Sequence, residues 1–345
     1  MTQAFPDIQQ LATETNLSEH WQSRLLPFWQ QLQHGVLTGS GGVPLAYSYH
    51  RSPTASTAWV ISSGRIETAV KYSELMLELV NAGYSVYIID HRGQGRSGRL
   101  LADPQPGYVE SFAHYQQDLA QFLQQIVEPG GHQRHLLLGH SMGCAIAAGL
   151  LTGDLWQRWW RFFDAAVFCS PMLGIHSGPV PTRVAEGLAL AYCRKLRAEP
   201  AAQAGYFPGQ QAYQAKPFAG NDLTSSPARY QALRDCYQRE PELQLGGVSC
   251  QWLVQAILAM RQLRRDVVHC QTPLLLLQGS ADKVVANGAQ RQWFDALPAA
   301  LPKALYSLNG GRHELLMEQD AIRQQVLAAI NQFLQQLSTS SKASL

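Results

Sequence analysis

The chain has 345 residues, enough for one large α/β domain with an insertion or for two small domains. Apolar residues make up 46% and charged residues 15%, a balance that gives a sizeable core and excludes a disordered chain. The formal net charge is +2 with no basic tract, which argues against a nucleic-acid partner and leaves only a mild bias toward anionic surfaces.

The six cysteines, at 144, 169, 193, 236, 250 and 270, form no C-x-x-C pair and no zinc spacing. They read as reduced thiols in apolar stretches, which places the chain in the cytoplasm. The N-terminus MTQAFPDIQQ has neither a basic nor an apolar secretory region. The longest apolar stretch, 136–151, is shorter than the ~20 residues a span needs and carries His140 and Ser141. A soluble protein, or one attached only at a membrane surface, is expected.

In chain order, residues 18–33 repeat Trp21, Leu25, Trp29 and Leu32 at helical spacing, with Ser18 placed to cap the start. This predicts a helix docked on the core, although its aromatic face also suits lipid or the cover of a site. HGVLTG and VPLAYSYH around Gly41-Gly42 predict a hairpin. Strands are then expected at 57–63, 84–90, 134–140 and 165–170, with helices at 71–82, 109–127 and 142–152 between them. Gly83 is placed to end the first of these helices. Continuous apolar strands alternating with helices predict a mostly parallel sheet covered on both faces.

From about 177 to 268 only helices and loops are expected; Ser226-Pro227 starts one helix, and Val248, Trp252, Ala256, Met260 and Leu263 face another. Strands return at 272–279 and 302–309, with helices at 287–297 and 319–337. The domain reading is a core in two parts, 1–176 and 269–337, a helical cap inserted at 177–268, and a polar tail, 338–345, expected to be disordered.

Gly139-His140-Ser141-Met142-Gly143 fits G-x-S-x-G and sits between a predicted strand and helix, the context of a nucleophile elbow. A serine hydroxyl needs a base to take its proton and a carboxylate to orient that base, in the order Ser, Asp, His. His313 follows the last predicted strand and Asp282 the one before, at the sheet edge where ligands gather. Glu314 and Glu318 come after the histidine and are weaker candidates for the acid. The oxyanion donors expected are the backbone N–H groups of Met142 and Arg65, the latter in Ser63-Gly64-Arg65-Ile66-Glu67. The Arg65 side chain has two readings, contact with a charged substrate group or a salt bridge to Glu67. The glycine-rich 90–98 loop lacks a phosphate-loop signature and reads as packing, with Asp90 and Arg92 structural. No metal signature is present, His132 and His135 included, and the chemistry requires no cofactor.

GHSMG (139–143), DHRGQGRSGR (90–99), GSADKVV (279–285) and GGRHELLME (310–318) together resemble the monoacylglycerol lipase and lysophospholipase branch of the α/β hydrolases. The stretch beginning GRIETAVKYSEL at 64 resembles the bacterial L-two lysophospholipases in particular. The resemblance implies an α/β-hydrolase fold with a helical cap over an acyl pocket. It implies hydrolysis of the single acyl ester of a lysophospholipid and a peripheral position on the bacterial inner membrane. Ser63-Gly64-Arg65 departs from the His-Gly start common in lipases, which leaves the substrate preference open. Tyr206, Phe207, Tyr213, Phe218, Trp252 and Met260 are candidates to line the acyl channel, against a reading as cap-to-core packing. Arg183, Arg194, Lys195 and Arg197 are candidates to meet phosphate, against a solvated helix face. A monoacylglycerol lipase, a lysophospholipid acyltransferase and a binding protein without turnover are the alternatives. Serine rather than aspartate at the elbow argues against a dehalogenase or an epoxide hydrolase.

Overall fold

Eight strands form one sheet in the order β1-β2-β4-β3-β5-β6-β7-β8. They are β1 (Gln33–Thr38), β2 (Pro44–His50), β3 (Thr57–Ser62), β4 (Ser85–Ile89), β5 (Arg134–His140), β6 (Ala165–Cys169), β7 (Leu274–Gly279) and β8 (Lys303–Leu308). The computed structural model describes residues 4–196 and 204–343. Arg197, singled out in the sequence, lies outside the described residues. The strand β2 runs antiparallel to both β1 and β4, and every other pairing is parallel.

The strands β3, β4, β6 and β7 are buried at every residue, as their continuous apolar runs require. Alternation sends Val60, Leu137, Ala166 and Leu276 to the core on one face of the sheet. Trp59, Leu136, Val167 and Leu275 go to the core on the other. The hairpin is present, and Gly41 and Gly42 turn it with φ of 69° and 81°.

The N-terminal helical segment, 17–31, starts at Leu17, with Asn16 rather than Ser18 at the cap position. Asn16 is fixed there by accepting from the Thr13 N–H at 2.7 Å, which leaves Ser18 exposed inside the helix. Trp21–Leu25 forms a π turn just before Pro27. Leu17 and Leu25 are buried and Trp21 and Trp29 are half-buried against the core, so the segment is docked.

Helix α1 (Ser73–Asn81) ends at Gly83, whose φ is 93°. Helix α2 (Ala113–Phe122) continues through a π turn to Val127. Helix α3 (Met142–Thr152) is buried along its whole length. Between β6 and β7 the described residues hold α4 (Thr182–Lys195), α5 (Pro227–Arg239) and α6 (Cys250–Asp266), and no strand. Ser226 Oγ caps α5 by accepting from Arg229 N–H at 3.3 Å, and Ser249 Oγ caps α6 by accepting from Trp252 N–H at 3.1 Å. Trp252, Ala256, Met260 and Leu263 of α6 join the same hydrophobic cluster as α3, so this helix shares the core of the sheet.

Two buried arginines tie helices to the core, Arg229 from α5 and Arg323 from the C-terminal helix. Arg229 bonds Glu74 and Asp320, both at 2.9 Å, and Arg323 bonds Glu78 at 2.5 and 2.8 Å. Helix α4 is held less firmly. Only Glu186 and Cys193 are buried in it, while Val184, Leu188 and Tyr192 are exposed.

Helix α7 (Asn287–Asp295) precedes β8, and α8 runs Asp320–Ala343, beyond residue 337 and into the segment expected to be disordered. Ser338 and Thr339 turn their hydroxyls back to the Leu334 and Gln335 carbonyls at 3.0 and 3.3 Å, which lets a polar sequence stay helical. All six cysteines are buried and free. No helix of the described residues is long and apolar enough to cross a membrane.

Candidate active site

Ser141 sits between β5 and α3 with φ 50° and ψ −113°, a strained conformation for a residue with a side chain. The turn closes only because its flanks are glycine. A Cβ on Gly143 would lie 2.0 Å from the Ser62 carbonyl oxygen, and one on Gly139 would lie 2.9 Å from Cys144 Cα. The Ser141 N–H donates to the Cys169 carbonyl at 3.0 Å, and the Ser141 carbonyl accepts from Met172 N–H at 3.0 Å. The hydroxyl is thereby aimed from the N-terminus of a buried helix, where anionic charge is favoured.

Asp282 follows β7 and His313 follows β8, and both reach Ser141. His313 Nε2 lies 3.0 Å from Ser141 Oγ, and His313 Nδ1 lies 2.8 Å from Asp282 Oδ2. Asp282 Oδ1 accepts from the Val284 and Val285 N–H groups at 2.7 and 3.1 Å, which fixes the carboxylate plane. Burial pushes the Asp282 carboxyl up, but His313 and these two amides outweigh it and leave it below the ordinary carboxylate range. A carboxylate-held imidazole facing a serine hydroxyl can take the serine proton and return it to a leaving group.

The Met142 and Arg65 amides have no hydrogen-bond partner among the described residues. Met142 is the first residue of α3, and Arg65 lies in the loop after β3. That loop is held open by Glu67 and Gln94. Glu67 Oε2 accepts from Gly64 N–H at 2.5 Å and Tyr72 OH at 2.6 Å, while Gln94 Nε2 donates to the Gly64 and Glu67 carbonyls at 2.7 and 3.2 Å. Ile66 takes a φ of 61°, strain that these bonds sustain.

The Arg65–Glu67 salt bridge weighed from the sequence does not form. Glu67 Oε1 instead accepts from Lys71 Nζ at 2.7 Å and from His140 Nδ1 at 2.7 Å. Lys71 Nζ also bonds Glu314, and His140 Nε2 donates to the His313 carbonyl at 3.2 Å. Both ring nitrogens of His140 therefore face acceptors, which only the imidazolium satisfies in full. Burial pushes His140 down, but Glu67 and Glu314 raise it overall above its ordinary value. Burial likewise pushes Glu67 up, and Lys71 and His140 hold it well below the ordinary range. Two carboxylates and two cations thus form a closed, neutral network under both the loop that carries Arg65 and the loop that carries His313. Glu67, His140 and Glu314 are the one metal-like donor group among the described residues, with ligand atoms within 4.8 Å. The Lys71 ammonium is the cation that the two carboxylates of this group hold.

Sequence reasoning missed this network. Its signal was present, since Glu67, His140 and Glu314 all lie inside motifs already singled out. Asp90 and Arg92 are structural as expected. Asp90 accepts from Ala69 and Arg96 N–H at 2.6 and 2.8 Å, and Arg92 forms a buried pair with Asp118.

Ser141 and His313 open into a cavity of about 700 Å³. Phe207, Tyr213 and Trp252 are among its wall residues, whereas Tyr206, Phe218 and Met260 are not. Tyr206 pairs with Ser249 through the backbone, Phe218 packs on the Tyr230 ring, and Met260 is fully buried in the core. Ile175, Phe207 and Leu253 also line a second, mostly apolar cavity of about 600 Å³ beside α4.

Residues 53–320 match the family described as serine aminopeptidase, S33. The chain belongs to this family of α/β hydrolases. Lysophospholipase L2 of Escherichia coli K12 is 37% identical over 325 residues, covering 92% of both chains. Probable lysophospholipase L2 of Haemophilus influenzae is 29% identical over 316 residues, 90% of this chain and 95% of that one. A monoglyceride lipase from Saccharomyces cerevisiae, solved with a substrate analog, superimposes with a TM-score of 0.65 at 17% identity, covering 89% of this chain and 96% of that one. At such identity, the last comparison speaks for the fold alone.

Proposed function

We propose that this α/β hydrolase is a lysophospholipase, which releases the fatty acid from the single acyl ester of a lysophospholipid. The observation that carries the reading is the hydrogen-bonded line Asp282–His313–Ser141 at the floor of a cavity with polar and apolar walls. The extent of the likeness to the L2 lysophospholipases supports the head-group class.

In this reading, His313 takes the proton of Ser141 as Oγ attacks the acyl carbonyl. The Met142 and Arg65 amides receive the oxyanion. His313 then protonates the departing glycerol oxygen, and a water deprotonated by His313 hydrolyses the acyl-enzyme. The enzyme works in the cytoplasm at the surface of the inner membrane. The exposed Val180, Val184, Leu188 and Tyr192, with Arg183, Arg194 and Lys195 nearby on α4, support that contact.

Fatty-acid release from a lysophospholipid and a chain-matched monoacylglycerol, by the wild type and by Ser141→Ala, tests the proposal. Release from the lysophospholipid that disappears in the variant is expected. Release from the monoacylglycerol alone would move the enzyme to the neutral-lipid branch, and diacyl product would mark acyl transfer.

A further inference from the structure

Among the described residues, four cations line the cavity: Arg65, Lys71, Lys216 and Arg234. Lys71 is taken by Glu67 and Glu314, and Lys216 is exposed. Arg65 and Arg234 are different. Both are half-buried, and neither has a carboxylate partner among the described residues.

Arg65 is held by Nη1 donating to the Gly246 carbonyl at 3.0 Å and by its guanidinium lying 5.4 Å from the Trp252 ring centre. Burial lowers its pKa to about 10, with Tyr115 acting weakly against that, so the group stays charged at neutral pH. Arg234 sits among Tyr213, Tyr230 and Tyr237, with ring centres at 5.9, 4.8 and 5.5 Å. Its Nη1 donates to Tyr213 OH at 3.2 Å, and its Nε is buried without a partner. Tyr237 links the two arginines. Its ring flanks Arg234, and its hydroxyl donates to the carbonyl of Ile66, next to Arg65, at 2.6 Å.

A guanidinium kept out of bulk water without a counter-charge is unfavourable for folding. Aromatic faces hold such a group in place, and the donors not used by the Gly246 carbonyl and the Tyr213 hydroxyl are left to donate to a pair of phosphate oxygens. Other wall residues, Met172, Ile175, Leu253, Val284 and Val285, are apolar and suit an acyl chain that runs on toward the second cavity.

We propose that Arg65 and Arg234 form the subsite that receives the phosphodiester of the head group, while the apolar wall takes the acyl chain. The assignment rests on the lysophospholipase reading for its substrate, but not for its ligand chemistry.

Two measurements test it on the full-length protein, in Arg65→Leu, Arg234→Leu and the matching lysine variants. The first is the ratio of kcat/KM for lysophosphatidylethanolamine to that for the chain-matched monoacylglycerol. The second is inhibition of a short neutral ester's hydrolysis by glycerophosphoethanolamine. Each leucine variant removes a charge-assisted hydrogen bond to the phosphate, which lowers the ratio and weakens inhibition by about tenfold or more. Lysine keeps the charge but loses the fork, so it restores only part of both. The lysine variants also carry the test if a leucine variant fails to fold. A ratio and an inhibition constant within about twofold of wild type in every folded variant would overturn the subsite. Arginine-dependent inhibition in an enzyme that spares lysophospholipids would instead remove the lysophospholipase reading and leave the subsite standing. Cleavage of lysophospholipids with an unchanged ratio would do the reverse.

Discussion

Replacing Glu67 by glutamine keeps the shape of the side chain and converts one carboxylate oxygen to an NH₂. Each oxygen faces two donors: Gly64 N–H and Tyr72 OH on one, Lys71 Nζ and His140 Nδ1 on the other. The new amide must therefore point its NH₂ at donors whichever way it is flipped. Facing the loop, Tyr72 can rotate its hydroxyl to accept, but Gly64 N–H is orphaned, at about 1–3 kcal/mol for a buried donor. The lost negative charge also leaves Lys71 and His140 to share Glu314, and breaking a buried ion pair from one side costs about 3–5 kcal/mol. A loss of roughly 3–5 kcal/mol is expected, a large part of the stability of an ordinary domain. The loop that presents the Arg65 amide loosens with it. A fall in kcat of about tenfold to a hundredfold is expected, with a smaller change in KM. Urea unfolding gives the first quantity and steady-state hydrolysis of a neutral ester the second. A Glu67→Gln protein within about 1 kcal/mol of wild type and with unchanged kcat would refute the role given to this network.

Gly143→Ala places a Cβ 2.0 Å from the Ser62 oxygen and 2.5 Å from the Ser63 oxygen, both backbone atoms. Helix α3 must then move with Ser141 on its end, and thermal melting should show about 1–3 kcal/mol of destabilisation alongside a ~100-fold loss of kcat. Asp282→Asn should keep its oxygen on the Val284 and Val285 amides and turn its NH₂ to His313 Nδ1. That selects the tautomer with hydrogen on Nε2, which cannot accept from Ser141, so kcat should fall by roughly 10⁴ with little loss of stability. His140 has a raised pKa in the folded chain, so its stabilisation is complete below its ordinary 6.5 and is lost as pH rises through the folded value. Urea midpoints should thus fall with pH above 6.5 in the wild type and stay flatter in His140→Asn; a wild type that gains stability there relative to the variant would contradict the imidazolium assignment.

The order of strands and helices was legible because burial leaves its mark on composition. The fully buried strands β3, β4, β6 and β7 read as unbroken apolar runs, Gly83 supplies a positive φ, and Gly139 and Gly143 sit where a Cβ would strike backbone. The positions of Ser141, Asp282 and His313 followed from their strand ends. What was not legible depended on which side chain meets which across the fold. Glu67 and Arg65 are two residues apart, and proximity in sequence suggested a pair. The loop instead turns Glu67 inward to Lys71 and His140 and leaves Arg65 in the cavity wall. Tyr206 and Phe218 were chosen by aromatic character, which cannot distinguish a cavity wall from a packing contact. The extension of α8 past 337 was hidden because serine and threonine disfavour helices on average but can bond back to the preceding turn.

The uneven anchoring of the segment above the site gives access a direction. Lifting α5 would strip Arg229 of Glu74 and Asp320 in surroundings with little water, and would disturb Arg323 beside it. A penalty of several kcal/mol makes that side a fixed jamb. On the other side, α4 is held through Glu186, with Arg261 and Arg264 each at 3.3 Å and part-exposed, and through Cys193. Lifting it would break only these part-exposed contacts. On the proposed lysophospholipase reading, the α4 side is therefore the one by which a single-chain lipid would enter, tail toward the apolar cavity.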